Sequence, residues 1–215
     1  MLNFAPTLTM ELINKYFPEL EEEQKKLLTQ YADLLLEWNE KINLISRKDA
    51  HEKIQQHLVH SLGITKVIWF MPATKILDVG TGGGLPGIPL AIYFPECRFT
   101  MVDSIGKKIT ATKDMIKQLG LTNAKAINTR AENLKEKFHF VTARGVAPSQ
   151  KILSWTKKRI ERESFNDLSN GYLLLKGGDL TEEAEPLHRP CSEYWLSDFF
   201  EEPFFETKKV FYFPK

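Results

Sequence analysis

The sequence predicts a doubly wound α/β fold with a mostly parallel sheet, a helical N-terminal extension and an antiparallel strand pair at the C-terminal edge. Three observations predict it. From Lys75 to Lys176, short apolar runs alternate with helix-forming stretches at the spacing of strand–helix–strand units, which build parallel sheets covered on both faces. Residues 1–72 instead carry apolar side chains at helical intervals. The last apolar segments, Glu193 to Phe199 and Thr207 to Phe213, have no helical pattern between them. A length of 215 residues suits one domain with an appendage, divided here into an extension over 1–72 and a compact unit over 73–215.

The first helix is predicted from Leu8, Leu12, Ile13, Tyr16 and Phe17, and Pro18 closes it. The second opens with Glu19 and Glu21 to Glu23, acids where the helix dipole favours them, and buries Leu27, Leu28, Tyr31, Leu34, Leu35 and Trp38. A loop over Asn39 to Ser46 follows. Asp49 opens the third helix, with Glu52 in the capping-box position. Predicted strands are Lys75 to Val79, Arg98 to Asp103, Ala124 to Asn128, Phe138 to Arg144 and Gly171 to Lys176. Between them, helices are predicted over Leu85 to Phe94, through Leu119 with Gly120 as its stop, and over Ser149 to Glu161.

Hydrophobic residues make up 42% and charged residues 27%, which excludes wholesale disorder. The 29 basic and 28 acidic residues leave a charge of +1, which excludes a histone-like polyanion binder but not a local basic face. Two cysteines, Cys97 and Cys191, exclude a framework of bridges and a four-thiolate zinc site, and fit a reducing compartment. The opening residues lack a secretory signal, and a mean hydropathy of −0.30 agrees with the lack of any membrane-length apolar run. A cytoplasmic, monomeric protein without membrane association is expected.

In doubly wound sheets, ligands bind outside the carboxyl ends of the strands. The predicted strand ends carry Gly80-Thr81-Gly82-Gly83-Gly84, Asp103, Arg130-Ala131-Glu132, Arg144 and Lys176. The glycines let a ligand approach the backbone, and Gly82-Gly83-Gly84-Leu85-Pro86-Gly87 even satisfies dinucleotide spacing. A dinucleotide, however, rests its pyrophosphate on free helix-start N–H groups, and Pro86 and Pro89 remove two of them. A phosphate-free nucleoside fits better, and S-adenosylmethionine is one. Asp103 suits its ribose hydroxyls, or else caps the turn before Gly106; Glu132 either flanks the adenine or starts a surface helix.

The run Asp78-Val79-Gly80-Thr81-Gly82-Gly83-Gly84-Leu85-Pro86-Gly87-Ile88-Pro89-Leu90-Ala91 strongly resembles the bacterial small-subunit (16S) ribosomal RNA guanine-N7 methyltransferase family. Val102-Asp103-Ser104 with Lys107-Lys108, Gly120-Leu121-Thr122-Asn123, Arg130-Ala131-Glu132, Ala143-Arg144 and Leu174-Leu175-Lys176-Gly177 extend the resemblance, as do Trp38-Asn39, Asn43-Leu44 and His57 to Leu62 upstream. It implies a class I, Rossmann-like methyltransferase binding S-adenosylmethionine at Gly80, Leu85, Ala131, Glu132 and Arg144. Gly82 and Asp103 join that set from the strand-end reading. Asn43, His57, Arg130 and Lys176 are implied near the RNA or the methyl-transfer site. Two positions depart from the family: Gly145 stands where an apolar residue is expected, and His60 replaces an acid of some relatives.

Guanine N7 has an in-plane lone pair and no hydrogen, so an in-line methyl transfer needs positioning and no general base. Lys176 is expected to donate to O6 or a phosphate, and Arg144 to fix the cofactor side. The partner expected is small-subunit ribosomal RNA or a ribosomal particle. Lys151, Lys157, Lys158, Arg159 and Arg162, and separately Arg47, Lys48 and Lys53, could face RNA, though either group alone reads as a solvated face. His57 and His60 lack further ligands at metal spacing, so no metal is expected. Two other readings share the glycine loop: a small-molecule methyltransferase, and a non-catalytic nucleotide-binding module.

Overall fold

A computed structural model describes residues 10–47, 50–177 and 190–215; Leu8, Lys48 and Asp49, singled out above, lie outside the described residues. Seven strands form one sheet: β1 (Lys75–Val79), β2 (Arg98–Asp103), β3 (Ala124–Asn128), β4 (Phe140–Arg144), β5 (Gly171–Gly177), β6 (Ser192–Trp195) and β7 (Lys208–Pro214). Their order is β3-β2-β1-β4-β5-β7-β6. The first five are parallel, β7 lies antiparallel to β5, and β6 antiparallel to β7. The chain winds from β1 outward through β2 to β3, then returns to β4 on the other side of β1. That reversal opens a crevice between the ends of β1 and β4.

Alternation along each strand divides the core. One face carries Ile76, Phe99, Met101, Phe140, Leu173 and Leu175, and joins the buried residues of the N-terminal helices in one apolar cluster. The other carries Leu77, Val79, Val102, Val141, Tyr172 and Leu174, and packs on α6 (Ser149–Thr156). On the first face, α1 (Glu11–Tyr16), α2 (Glu22–Lys41) and α3 (Ala50–Leu62) lie against α4 (Gly87–Tyr93) and α5 (Gly106–Gln118). Gln24 on α2 donates to the carbonyls of Ile92 and Tyr93 at 2.9 and 3.1 Å, satisfying acceptors that the end of α4 leaves open. Trp38 Nε1 donates to Asp114 on α5 at 2.9 Å.

Several element boundaries differ from those predicted, each for a local reason. Helix α2 starts at Glu22 because Glu21 and Gln24 close a capping box, while Glu19 accepts from the Tyr93 hydroxyl at 2.6 Å. It runs on to Lys41, so Asn39 is helical and buried; its Oδ1 accepts from the N–H groups of Leu44 and Ile45 and folds the following loop back. Helix α4 begins only at Gly87, after the first proline. Phe138 leaves β4 to exchange backbone bonds with Arg159 and Glu161 at 2.7 and 2.8 Å, which also ends α6 at Thr156. The extension predicted beyond Trp195 is a 3₁₀ turn anchored by buried Leu196.

The β5–β7 seam supports the site from below. A Cβ on Gly171 would overlap the Phe213 carbonyl oxygen and lie 3.0 Å from the Pro214 Cα, backbone atoms that no rotamer change can move. Gly171→Ala is therefore expected to lower unfolding free energy by about 1–3 kcal/mol. Guanidinium denaturation checks this, and an unchanged midpoint at unchanged slope would contradict it.

Candidate active site

The strand registers bring the predicted residues to one rim. Val79 pairs with both Val102 and Ala143, so Gly80, Asp103 and Arg144 emerge side by side, and Arg144 pairs with Leu175 next to Lys176. The glycine loop is tied into this rim by its backbone: Thr81 N–H donates to the Val102 carbonyl at 3.0 Å, and the Gly82 carbonyl accepts from the Thr112 hydroxyl at 2.8 Å. From the helical side, the Tyr31 hydroxyl donates to the Gly83 carbonyl at 2.8 Å. Burial holds that phenol protonated by pushing its pKa far up.

One cavity, about 430 Å³, opens at the tips of β1, β2 and β3 and is lined by Gly80, Asp103, Lys108, Arg130, Ala131 and Glu132 among others. Asp103 is 7% exposed. Its carboxylate accepts from Gly82 N–H at 3.1 Å and Ile105 N–H at 2.8 Å, one per oxygen. Each oxygen therefore keeps a lone pair for a ligand hydroxyl. Both readings of Asp103 hold: it caps the turn and it lines the cavity. Gly80 has φ +64, and a Cβ there would overlap the side chain of Val146, which lies across it.

The start of α4 has no amide free for a pyrophosphate. Gly87 N–H donates to Asp78 Oδ2 at 3.2 Å, Ile88 N–H to the Gly84 carbonyl at 2.6 Å, and Pro89 has no N–H. With no helix-start amide free for a pyrophosphate and both Asp103 oxygens open to hydroxyls, the cavity suits a nucleoside bearing ribose hydroxyls; its other charges, Glu132 against Lys108 and Arg130, balance. That supports the argument made from the two prolines.

A second cavity of about 620 Å³ lies beyond β4 and is lined by His57, His60, Arg144, Lys176, Phe204 and Lys208, with Gly145 and Val146 common to both cavities. Lys176 is 7% exposed and donates to the Ala147 carbonyl at 2.7 Å. Arg144 Nη1 donates to the His57 carbonyl at 3.3 Å. The rings of His57 and His60 stand edge-on to Phe204 at 6.0 and 6.1 Å. Gly145 has φ +63 with open space around it. Glycine takes that conformation without strain, which gives this departure from the family a physical basis.

Electrostatics divide the groups sharply. Burial pushes the Arg144 guanidinium down to about 10, leaving it charged at neutral pH. Burial, then the charges of Arg144, Lys53 and Lys208, push His57 down to about 4, and burial with Arg144 pushes His60 well below 6.5. Below the sheet end, burial pushes Asp78 up to about 7 against its hydrogen bonds from Thr142 and Gly87. As pH falls from 6.5 towards 4, the unfolded chain gains a proton on each of His57 and His60 that the folded chain refuses. Asp78 acts oppositely, holding in the fold one proton that the unfolded chain releases. The two histidines outweigh the one carboxyl, so stability should fall as pH drops through that window. Denaturant titrations at successive pH values check this, and His60→Gln should flatten the slope. Stability that rises on acidification would contradict it.

The structure gathers Gly80, Asp103, Arg130, Ala131 and Glu132 around the first cavity, and His57, Arg144 and Lys176 around the second. Arg144 thus stands beside the first cavity and not in its lining, whereas Arg130 does line it. Gly82 and Leu85 line neither: Gly82 N–H is held by Asp103, and Leu85 is buried in the core. Asn43 is exposed in a separate recess with Lys41, Arg47 and Lys107. Asp78, Val146, Phe204 and Lys208 were missed as site residues. Asp78 stood inside the quoted motif, and its lone acid within an apolar strand was the available signal. Phe204 and Lys208 come from the C-terminal segment, where no motif pointed. Among the described residues, no group of three His, Cys, Asp or Glu side chains could hold a metal.

A family model described as rRNA small subunit methyltransferase G matches residues 24–198. Ribosomal RNA small subunit methyltransferase G of Cytophaga hutchinsonii is 50% identical over 205 residues, covering 95% of this chain and 99% of that protein. The protein of the same name from Bacteroides thetaiotaomicron is 49% identical over 203 residues, covering 94% and 98%. Among solved structures, precorrin-6y C5,15-methyltransferase from Geobacter metallireducens superposes with a TM-score of 0.53 at 13% identity, covering 81% of this chain and 92% of that one. An rRNA methylase from Streptococcus thermophilus gives 0.50 at 14% identity, covering 74% and 95%. At such identities the structures share the fold alone.

Proposed function

The chain belongs to the rRNA small subunit methyltransferase G family, and from that premise we propose that it methylates N7 of one guanine in small-subunit ribosomal RNA. The observation that carries the geometry is the common wall: Gly145 and Val146 line both cavities. The cofactor is S-adenosylmethionine, which supplies a methyl group on a sulfonium. The first cavity fits it, with Asp103 for the ribose hydroxyls and Glu132 and Ala131 beside the base. The second cavity takes the guanine.

The chain's own residues then have positioning tasks. Arg144 and Lys176 present donors to the O6 edge of the base or to its phosphate. His57 and His60 are neutral at physiological pH, and among the described residues no carboxylate appears in the lining of the second cavity. That is acceptable chemistry, since N7 has no proton to remove. Val146 presents an apolar side chain to both cavities. Alignment of the reacting atoms is the main resource, an effect worth up to about 7–11 kcal/mol. Methylation leaves a positive charge on the base, and the neighbouring Arg144 and Lys176 then favour its departure.

One chain lines both cavities, so a monomer suffices, and the reading carries a cytoplasmic enzyme acting on RNA or a ribosomal particle. Among the described residues no helix is long and apolar enough to cross a membrane. Incubation with methyl-labelled cofactor and unmodified small-subunit RNA tests the reading. Label should enter the RNA, and reduction followed by aniline treatment should cleave at a single guanine. Label without such cleavage would move the acceptor atom away from N7, and no label would refute the activity.

A further inference from the structure

Several cations on the surface of this protein are paired with acids. Lys15, Lys25, Lys125 and Lys209 each stand within 3 Å of a glutamate. The recess of about 690 Å³ bounded by Lys41, Ile42, Asn43, Ser46, Arg47 and Lys107 is different, since among the described residues its lining holds three cations and no carboxylate. Lys41 Nζ lies over the Trp38 ring at 5.0 Å, and Arg47 Nη2 donates to the Glu40 carbonyl at 3.3 Å; both partners are neutral. Among the described residues no carboxylate oxygen lies within 4.0 Å of Lys41, Arg47 or Lys107. Three uncompensated charges around a concavity focus a positive potential there.

The position is fixed by the fold. Asn39 folds the loop over Leu44 and Ile45 back onto α2, and Leu44 packs against the glycine loop, its Cβ 3.2 Å from where a Cβ on Gly83 would stand. Lys107 and Lys108 follow one another in the first turn of α5; the first lines this recess and the second the cofactor cavity. The recess therefore flanks the cofactor cavity on the helical side, away from the cavity assigned to the guanine.

We propose that this recess binds the phosphodiester backbone of the RNA strand that presents the target guanine, with Lys41, Arg47 and Lys107 as its phosphate contacts. The proposal rests on the RNA-methylating reading above. Asn43 and the Ser46 hydroxyl add neutral hydrogen bonding, and Ile42 supplies an apolar floor. These contacts fix the register of the strand and carry no base identity.

The test compares two triple variants of equal charge change. K41A/R47A/K107A removes the recess cations, and K151A/K157A/K158A removes three exposed lysines of α6 and the turn after it. Binding to small-subunit RNA is titrated at several potassium chloride concentrations, together with cofactor affinity and steady-state methylation. The recess variant should make the slope of log K against log salt shallower by about 2–3. Its KM for RNA should rise about tenfold or more, with kcat and cofactor affinity unchanged. The α6 variant should keep most of the slope. Equal slopes for wild type and recess variant, or equal losses in both variants, would overturn the proposal. Wild-type protein that binds RNA but transfers no methyl would refute the function reading alone, since the binding slopes still decide the recess.

Discussion

Asp103→Ala is expected to raise the dissociation constant for S-adenosylmethionine by about 100-fold or more. The carboxylate offers charge-assisted hydrogen bonds to two ribose hydroxyls, each worth about 1.5–3 kcal/mol when buried. Its second effect is on the cavity itself, because Gly82 and Ile105 lose the acceptors that hold their N–H groups at 3.1 and 2.8 Å. Asp103→Asn separates the two effects. Asparagine can replace one acceptor but presents a donor at the other oxygen, so binding should weaken by an intermediate factor while the fold persists. Calorimetric titration reads both variants. Unchanged affinity in Asp103→Ala would remove the ribose from this carboxylate and leave Asp103 as a turn cap alone.

Lys176→Ala is expected to lower kcat by about 100-fold while the cofactor dissociation constant stays within about twofold. The loss corresponds to one charge-assisted hydrogen bond made in the transition state. The structure adds a complication, because Lys176 Nζ also holds the Ala147 carbonyl at 2.7 Å, one residue from the Val146 wall. Slackening of that segment would reach the cofactor cavity as well. Lys176→Met keeps the stem, and Lys176→Arg keeps the charge. Recovery of turnover in the arginine variant, with unaltered cofactor affinity throughout, identifies a donor to the acceptor. Equal losses of affinity and turnover would identify a prop for residues 144–148.

Much of this was legible in the residues. The strands β1, β2 and β3 begin and end where the apolar runs predicted: Lys75 and Gly80 bound β1, Arg98 and Asp103 bound β2, and Asn123 and Thr129 flank β3. The antiparallel β6–β7 pair follows from the lack of a helical pattern between its two segments, whereas the switch between β1 and β4 is visible only in the strand order. Residues at strand ends were found by position alone, which is why Gly80, Asp103, Arg144 and Lys176 reached one rim as expected. What stayed hidden depended on contacts between distant segments. Phe204 and Lys208 reach the second cavity only because β7 returns antiparallel to β5, and no local pattern announces that approach. Gly82 and Leu85 share the motif with Gly80 but serve the loop's own bonding, a distinction visible only once Asp103 is seen to hold Gly82. The end of α6 was misplaced because the bridge from Phe138 to Ile160 joins residues far apart in sequence.

The cavity assignment is tested most directly by a crystal structure of the protein with S-adenosylhomocysteine, the product of methyl transfer. The account predicts the nucleoside between Gly80 and Glu132, both ribose hydroxyls on Asp103, and the sulfur facing Val146 and the cavity of Arg144 and Lys176. A nucleoside bound with its ribose away from Asp103, or its sulfur turned from the Gly145–Val146 wall, would contradict it.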